Sequence, residues 1–329
     1  MQKYDNAHNV PLIAAVWLAH DDYDYNPEPY SISASTLLKS VRKIILGNRV
    51  DPANNALADI SDFTDSRIGQ TVHSGIEHAW KDPVIRGKSL ESLGYPAHIN
   101  ELIVINPPTG TDLTDKIPVY IEQRASRKVG KWTVSGKTDF IFDGVVTDIK
   151  STKVFKYINR SSDEEYQLQT SIYGWLNEDK VTADTIDICF IFKDFSKGSI
   201  WQKGYPPHNP LAYTLPSMSP QAVQSYVQAK LDLIEKLWDV PDHELPHCVP
   251  SELWQKGSTF KYYKNPANKK RSTANFDNLQ EAQTRFYKDG QVGEVVEVPD
   301  KAKACNYCEA KSICQQRVQL IAAGMADDV

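Results

Sequence analysis

Asp148-Ile149-Lys150 sets a carboxylate and an amine two positions apart, and Gly136-Lys137-Thr138-Asp139 places a second carboxylate upstream. Side chains alternate across a strand, so Asp148 and Lys150 share a face, and Asp139 can approach them across a hairpin. Two carboxylates and a lysine at strand spacing are tools for cutting a phosphodiester. The carboxylates suit a hard divalent cation such as Mg2+ in oxygen coordination. Mn2+ would accept an imidazole as well, which His73 could supply. Such an ion polarises a phosphoryl oxygen and acidifies a water. Lys150 would orient that water or neutralise charge in the transition state. Gln169 and Tyr173, one helical turn apart, can face the same cleft. Singly these signals are weak: Asp-x-Lys on a strand is common, and a helical histidine is more often core or surface than ligand.

A second chemistry sits near the C-terminus. Cys305, Cys308 and Cys314 form C-x2-C-x5-C, and Cys248 stands upstream of them. Four thiolates suit tetrahedral zinc or an iron–sulfur cluster. His243 and His247 lie close enough to Cys248 in sequence to be alternative ligands. Cys189, between Ile188 and Phe190, reads as a small core residue. Five cysteines in this arrangement do not read as a secreted disulfide framework; they point to a reducing, cytoplasmic setting.

The elements that must position these groups follow from periodicity. Ser31–Leu46 reads as one capped helix with Leu37, Leu38, Val41, Ile44 and Ile45 as its stripe. A helix from about Asp62 to Trp80 carries Gly69, His73, Glu77 and Trp80 on one face. Strands are expected over Ile117–Arg124, Trp132–Phe142 and Val145–Thr152, with Asp143-Gly144 as a tight hairpin turn. A helix over Asp163–Leu176, a strand over Thr185–Phe192 and a long helix over Ser219–Trp238 complete the pattern. Beyond Pro241 the apolar periodicity fades, and a metal staple becomes the expected source of order.

In that order, Gly69/His73/Glu77, Gly136/Asp139, Asp148/Lys150, Gln169/Tyr173 and the terminal cysteines make the chain similar to the PD-(D/E)xK superfamily, in particular its RecB-like nucleases. The resemblance covers about Ser31 to Cys314. It implies an α/β fold: a restriction-endonuclease-like core with a central mixed sheet flanked by helices, plus a C-terminal cysteine-metal-stapled segment. The domains would be an N-terminal extension (1–30), a nuclease core (31–240) and a cysteine-cluster and basic-loop segment (241–329). It further implies Asp139, Asp148, Lys150, His73, Gln169 and Tyr173 as catalytic, and His73, Asp139, Asp148 and Ile149 as the Mg2+ or Mn2+ set. Glu122 matches a less regularly functional position and is expected at most to support that set. The chain also resembles CRISPR adaptation nucleases and bacterial helicase–nucleases, in which the same trio and one distant cysteine hold a 4Fe-4S cluster. In those relatives the distant cysteine falls in a helix resembling Ser31–Leu46, where this chain has Ser40-Val41. The run from Cys248 through Tyr262, Tyr263 and Phe276 to the trio looks like a group of phage-encoded exonucleases and offers Cys248 as the replacement. The resemblance thus implies a 4Fe-4S cluster on Cys248, Cys305, Cys308 and Cys314, with zinc as the alternative.

The implied activity is a metal-dependent DNA exonuclease of recombination, repair or phage DNA processing, working in a bacterial or phage-infected host cytoplasm. A non-catalytic DNA-binding scaffold is the alternative. A third reading, a metal hydrolase with another substrate, fits the basic stretches less well. There is no P-loop, so a helicase or annealing partner would be a separate protein.

The net charge of -5 does not itself suggest nucleic acid, whose non-specific binding is driven by positive charge. Local clusters carry that case: Arg124, Arg127, Lys128 and Lys131, and then Lys264, Lys269, Lys270 and Arg271. The second is interleaved with Phe260, Tyr262 and Tyr263, which suits single-stranded DNA or DNA ends, where rings stack on bases. A solvated loop is the plain alternative for each. No apolar run is long enough for a membrane span, and the short run Pro11–Ala19, with one lysine before it and His20, Asp21 and Asp22 after it, is a poor match to a secretory signal.

Overall fold

A computed structural model describes residues 4–20, 28–51 and 57–328. The acidic, aromatic stretch Asp21–Tyr25 and Pro27 lie outside them. In chain order the elements are β1 (Tyr4–Asp5), α1 (Leu12–Ala19), β2 (Ser31–Ser33), α2 (Ala34–Leu37), α3 (Val41–Arg49), β3 (Ala58–Asp59), α4 (Thr64–Lys81), α5 (Pro83–Ser92) and α6 (His98–Leu102). Then come β4 (Ile103–Ile105), β5 (Ile117–Val129), β6 (Trp132–Phe142), β7 (Val145–Thr152), α7 (Val154–Asn159), α8 (Asp163–Leu176), β8 (Thr185–Phe192), β9 (Leu211–Pro216) and α9 (Pro220–Leu237). The last are β10 (Thr259–Tyr263), β11 (Ala274–Phe276), α10 (Leu279–Lys288), β12 (Glu294–Val298) and α11 (Gln315–Ala322).

The chain divides into two compact units, residues 1–38 with 56–231, and residues 39–55 with 232–329. This differs from the division at 30 and 240 expected from sequence. The first unit takes in the N-terminal residues, whose β1 pairs in parallel with β3. The second takes in α3.

The first unit is α/β, a mixed seven-stranded sheet flanked by helices, in the order β4-β5-β6-β7-β8-β9 with β2 also on β6. β5 follows one edge of β6 along almost its whole length. The other edge changes partner: Phe140, Ile141 and Phe142 pair with β7, while Thr133, Val134 and Ser135 pair with β2. Between them, at Gly136–Asp139, no strand among the described residues pairs with that edge of β6, and β7 turns away to run parallel to β8. The turn from β6 to β7 has φ of 50° at Asp143 and 73° at Gly144, the two left-handed positions of a type I′ hairpin. Apolar residues close both faces. Ile121, Val119 and Phe140 pack with Trp80 of α4, and Phe190, Ile188 and Phe192 pack with Tyr166 of α8.

The single helix expected over Ser31–Leu46 is instead a strand and two helices. Ser33 caps α2 by accepting from the Thr36 amide, and Ser40 caps α3 by accepting from the Lys43 amide. Each cap satisfies a first-turn donor and stabilises a separate helix start by about 1 kcal/mol, so the apolar stripe is broken between them.

The second unit has more regular structure than the fading periodicity suggested. β10 lies between β11 and β12 in an antiparallel sheet. Tyr262 is fully buried there, its hydroxyl donating to the Val292 carbonyl. A separate core joins Leu253, Ala302, Cys305 and Ala326. Among the described residues no helix is long and apolar enough to cross a membrane.

Candidate functional site

The gap in the edge of β6 is where the predicted residues of the first unit meet. Asp139 lies in it. Its Oδ2 accepts the Ile149 amide at 2.8 Å, a donor the diverging ladder would otherwise leave open. α4 brings His73 to the same place: Nε2 lies 3.1 Å from the Ile149 carbonyl oxygen, and Nδ1 lies 3.4 Å from Glu122 Oε1 and 3.6 Å from Asp139 Oδ1. His73, Glu122 and Asp139 each present one ligand atom, all within 4.8 Å of one another.

Glu122 reaches this group through an irregularity no sequence pattern marks. Its φ is +54°, left-handed for a non-glycine residue. Before it, Val119 and Ile121 pack towards Trp80 of α4. After it, Gln123 and Ala125 stand opposite Thr138 and Gly136, which face α8 through Asn177 and Tyr173. Alternation therefore reverses at the Glu122/Asp139 level. Ile121 with Glu122, and Asp139 with Phe140, point consecutively to the α4 side. Apolar packing and the acidic pair thus share one face. Strained backbone of this kind clusters at functional sites.

Asp148 and Lys150 face α8. Asp148 is 3% exposed, and its Oδ2 lies 2.7 Å from Lys150 Nζ. The pair is ionic but poorly aligned as a hydrogen bond, and among the described residues no other group donates to that oxygen. Lys150 Nζ also donates to Gln169 Oε1 at 3.1 Å, and Gln169 Nε2 donates to the Tyr173 hydroxyl at 3.0 Å. The ring of Tyr173 lies against Gly136: a Cβ there would sit 2.8 Å from Tyr173 Cε1. Close approach thus requires glycine on β6 opposite the tyrosine of α8.

The electrostatics reflect crowding of acids. Burial, reinforced by the charge of Asp148, pushes Asp139 up to about 7. Burial alone would lower His73 and raise Glu122. The Glu122 and Asp139 carboxylates outweigh it to hold His73 above its ordinary value, and hydrogen bonds from His73 and Lys137 hold Glu122 below its own. Burial opposes the Lys150 charge, but Asp148 and Asp139 keep its pKa above the ordinary lysine value. A half-buried group of two carboxylates and an imidazole, with the carboxylate of Asp148 near it, fits a hard divalent cation. The tight donor group contains Glu122, which the sequence reading left as support. Asp148, expected in the metal set, lies outside this tight group, with its Oδ2 beside the Lys150 ammonium. The Ile149 position contributes its backbone groups to the same spot.

In the second unit, Cys248, Cys305, Cys308 and Cys314 are near enough to influence one another. Burial and the other three thiols push Cys305 up to about 11. Gln316 brackets Cys248, accepting its amide at 2.8 Å and donating to its carbonyl at 2.9 Å. Ser40 Oγ lies 3.2 Å from Cys248 Sγ. The buried Arg42 donates to Cys314 Sγ at 3.4 Å and to the Leu245 carbonyl at 3.1 Å. Among the described residues no three cysteine sulfurs come within 4.8 Å of one another, wider than the roughly 3.8 Å that tetrahedral Zn–S bonds impose. His243 and His247 are exposed. Of the rings expected to stack, Tyr262 and Tyr263 are buried and Phe260 is half-buried, while Lys264, Lys269, Lys270 and Arg271 lie in an exposed loop.

No family model matches the chain, and no curated protein matches it. One solved structure, "Crystal structure of SSO0001", superposes with a TM-score of 0.41 at 14% identity, covering 73% of this chain and 95% of that one. A likeness of that degree carries no argument here.

Proposed function

We propose that this protein is a metal-dependent deoxyribonuclease of the PD-(D/E)xK type, hydrolysing phosphodiester bonds near DNA ends. One observation carries the reading. Where β6 and β7 part, the half-buried Asp139 and the buried Asp148 lie close enough to repel, with a lysine beside Asp148 and a His73/Glu122 pair beside Asp139.

His73, Glu122 and Asp139, with the Ile149 carbonyl beside them, would hold Mg2+ or Mn2+. When bound, the ion supplies Lewis-acid polarisation of a phosphoryl oxygen and acidifies a water. In the metal-free protein burial opposes the Lys150 charge, yet Asp148 and Asp139 hold its pKa above the ordinary lysine value. It therefore acts as a fixed positive charge for the transition state rather than as a general base. Gln169 and Tyr173 hold that ammonium in place from α8. Asp148 anchors it from below and adds the negative charge that draws a cation to the neighbouring Asp139.

The four thiols of the second unit would hold a 4Fe-4S cluster, with zinc as the alternative. The mutual influence of the four thiols, which places them near one another, supports a shared metal group, and the resemblance favours iron–sulfur. Its part would be to staple residues 232–329.

The test is cleavage of end-labelled linear and closed circular DNA with Mg2+ or Mn2+, comparing wild type with Lys150→Ala and Asp148→Ala. Loss of cutting in both, with linear DNA preferred, is expected. Full cutting by both variants would show the site to be misassigned, and binding without cutting by the wild type would return the DNA-binding scaffold.

A further inference from the structure

Residues 193–210 join β8 to β9 with neither strand nor α-helix, a longer connection than compact domains usually carry without a function. They leave the carboxyl end of β8, where β7 runs beside it in parallel and Lys150 stands opposite Phe190. Ligands of open α/β sheets gather at that end of parallel strands. Lys193 follows Phe190 by three residues, so the loop begins ~10 Å beyond Lys150 along the sheet. Both limbs are tied down. The Lys193 amide donates to the Thr152 carbonyl at 2.8 Å, and its ammonium lies 2.6 Å from Asp65 at the start of α4, the helix that carries His73. Asn209 pairs with both backbone groups of Phe192. Phe195 and Tyr205 contact each other and pack on the cluster of Tyr166, Phe190 and Phe192. Tyr166 is also the ring over which the Lys150 ammonium lies. The loop therefore stands on the same aromatic layer as the site lysine.

The apex turns outward. Ile200 is 51% and Trp201 79% exposed. The indole is nevertheless held: its Nε1 donates to the Gly198 carbonyl, and the Ser199, Gln202 and Tyr205 amides close successive turns around it. A ring pinned at its edge and open on its faces loses little conformational freedom on binding. The charges of the loop are Lys193, Lys197 and Lys203 against Asp194. Lys193 is held by Asp65, and Asp194 accepts the Val154 amide at 2.7 Å. Lys197 and Lys203 are the cations left at the apex, and both are exposed. An open ring between two lysines has the makeup of a single-strand contact, in which rings stack on bases and ammonium groups meet phosphates. Interfaces between proteins deplete lysine around such a ring.

We propose that the β8–β9 loop is a single-stranded DNA contact, in which Trp201 stacks on an unpaired base of the strand that reaches the site and Lys197 and Lys203 meet its phosphates. Every base has a π-face, so the contact fixes the strand without reading its sequence. The proposal rests on the nuclease reading and adds the form of substrate that the site receives.

The experiment measures, in Ca2+, binding of fluorescein-labelled oligothymidylate, of the same strand with one abasic nucleotide at successive positions, and of duplex. The proteins are wild type, Trp201→Ala, Trp201→Phe and the double variant Lys197→Gln with Lys203→Gln. Tyr95→Ala, at an exposed ring elsewhere in the same unit, is the control. Trp201→Ala is expected to weaken the single strand about fivefold or more, and Trp201→Phe to keep most of the affinity. An abasic nucleotide at one position should cost the wild type a similar factor and cost Trp201→Ala nothing, because the ring that stacks there is gone. The double lysine variant should lower the slope of log K against log salt by about 1.4, two single-strand contacts. Tyr95→Ala should match the wild type throughout. In turnover, Trp201→Ala should raise KM more than it lowers kcat. Equal abasic penalties in wild type and Trp201→Ala, or a wild type that binds duplex but no single strand, overturn the contact and leave the nuclease reading intact. So does a Trp201→Ala variant with unchanged DNA binding whose DNA-free form sediments as a smaller species, which would assign the ring to an interface between copies. A wild type that neither binds nor cuts DNA overturns both.

Discussion

The Asp139 carboxylate accepts the Ile149 amide at 2.8 Å, across the point where β6 and β7 cease to pair. That bond holds Asp139 in the fork, close enough to Asp148 for the two acids to repel. The same geometry that gathers the candidate cation ligands thus leaves the cation-free protein with an acid that resists ionisation.

Stability should report this directly. Asp139 holds its proton up to about 7 when folded and releases it near 3.8 when unfolded. Between those values the folded state binds the extra proton, so metal-free stability falls as pH rises through that window. His73, also raised, adds a loss of the same sign as pH passes its folded pKa. Asp139→Asn should flatten the slope, worth up to a few kcal/mol. Urea denaturation in chelator at pH 5 and pH 8 measures it. Conversely, Mn2+ affinity in the wild type should tighten as pH rises to about 7, because binding must displace the Asp139 proton. Titration calorimetry finding no pH dependence would remove Asp139 from the ligand set.

Glu122 allows a test of backbone strain separate from chemistry. Its φ of +54° penalises any residue with a Cβ. Glu122→Ala and Glu122→Gly both delete the carboxylate, yet only glycine relieves the strain. The glycine variant should be the more stable by about 1 kcal/mol, the reverse of the usual order. Both should lose Mn2+ affinity by tenfold or more. Paired thermal melts and metal titrations check the two halves independently.

Much of this site was legible in sequence because it lies on regular elements. β6, β7 and α8 run over the residues their periodicity indicated, and the Asp143-Gly144 turn follows from the one dipeptide that tolerates two left-handed positions. The placement of His73, Asp139, Asp148 and Lys150 comes from that regularity. What was not legible is where regularity breaks. Left-handed Glu122 carries no glycine to announce it, so its part in the donor group went unread. Ser33 and Ser40 cut an apolar stripe that looked continuous. In β10, Tyr262 and Tyr263 resemble stacking residues by type, but both are buried.

Lys150 and Asp148 separate stability from catalysis. With Asp148 3% exposed, Lys150→Ala leaves a buried carboxylate without its cation, which costs roughly 3–5 kcal/mol. Adding Asp148→Asn should recover much of that stability and none of the activity. A double-mutant cycle on Tm and on cleavage rate tests this. Recovery of both together would make the lysine structural only.

Gly136 ties the two strands to α8. An alanine Cβ would fall 2.8 Å from Tyr173 Cε1 and 3.1 Å from Leu176 Cδ1. Relieving that contact moves α8, and with it Gln169 and Lys150. Gly136→Ala should cost about 1–3 kcal/mol and slow cleavage, and Tyr173→Leu in the same chain should restore stability by making room. An alanine variant as stable and as active as wild type would show that α8 yields without consequence.

The cysteine site can be tested by moving a ligand. Ser40 Oγ lies only 3.2 Å from Cys248 Sγ, so a thiol at position 40 would enter the same space from α3. Cys248→Ser should abolish the visible absorption of anaerobically purified protein and its iron content, and should lower Tm, because the staple on residues 232–329 is lost. Ser40→Cys added to Cys248→Ser exchanges the two side chains across that short distance, leaving the hydroxyl where the thiol was. Gln316 is bonded to the backbone of residue 248, through its amide and carbonyl, so the exchange leaves this bracket in place. The double variant should regain metal content and much of the lost Tm, and Ser40→Cys alone should keep its metal and lose only the helix cap that Ser40 supplies to the Lys43 amide, about 1 kcal/mol. Tightly bound zinc without iron in the wild type would identify the alternative metal. Full metal content in Cys248→Ser would show that residue 248 is not a ligand.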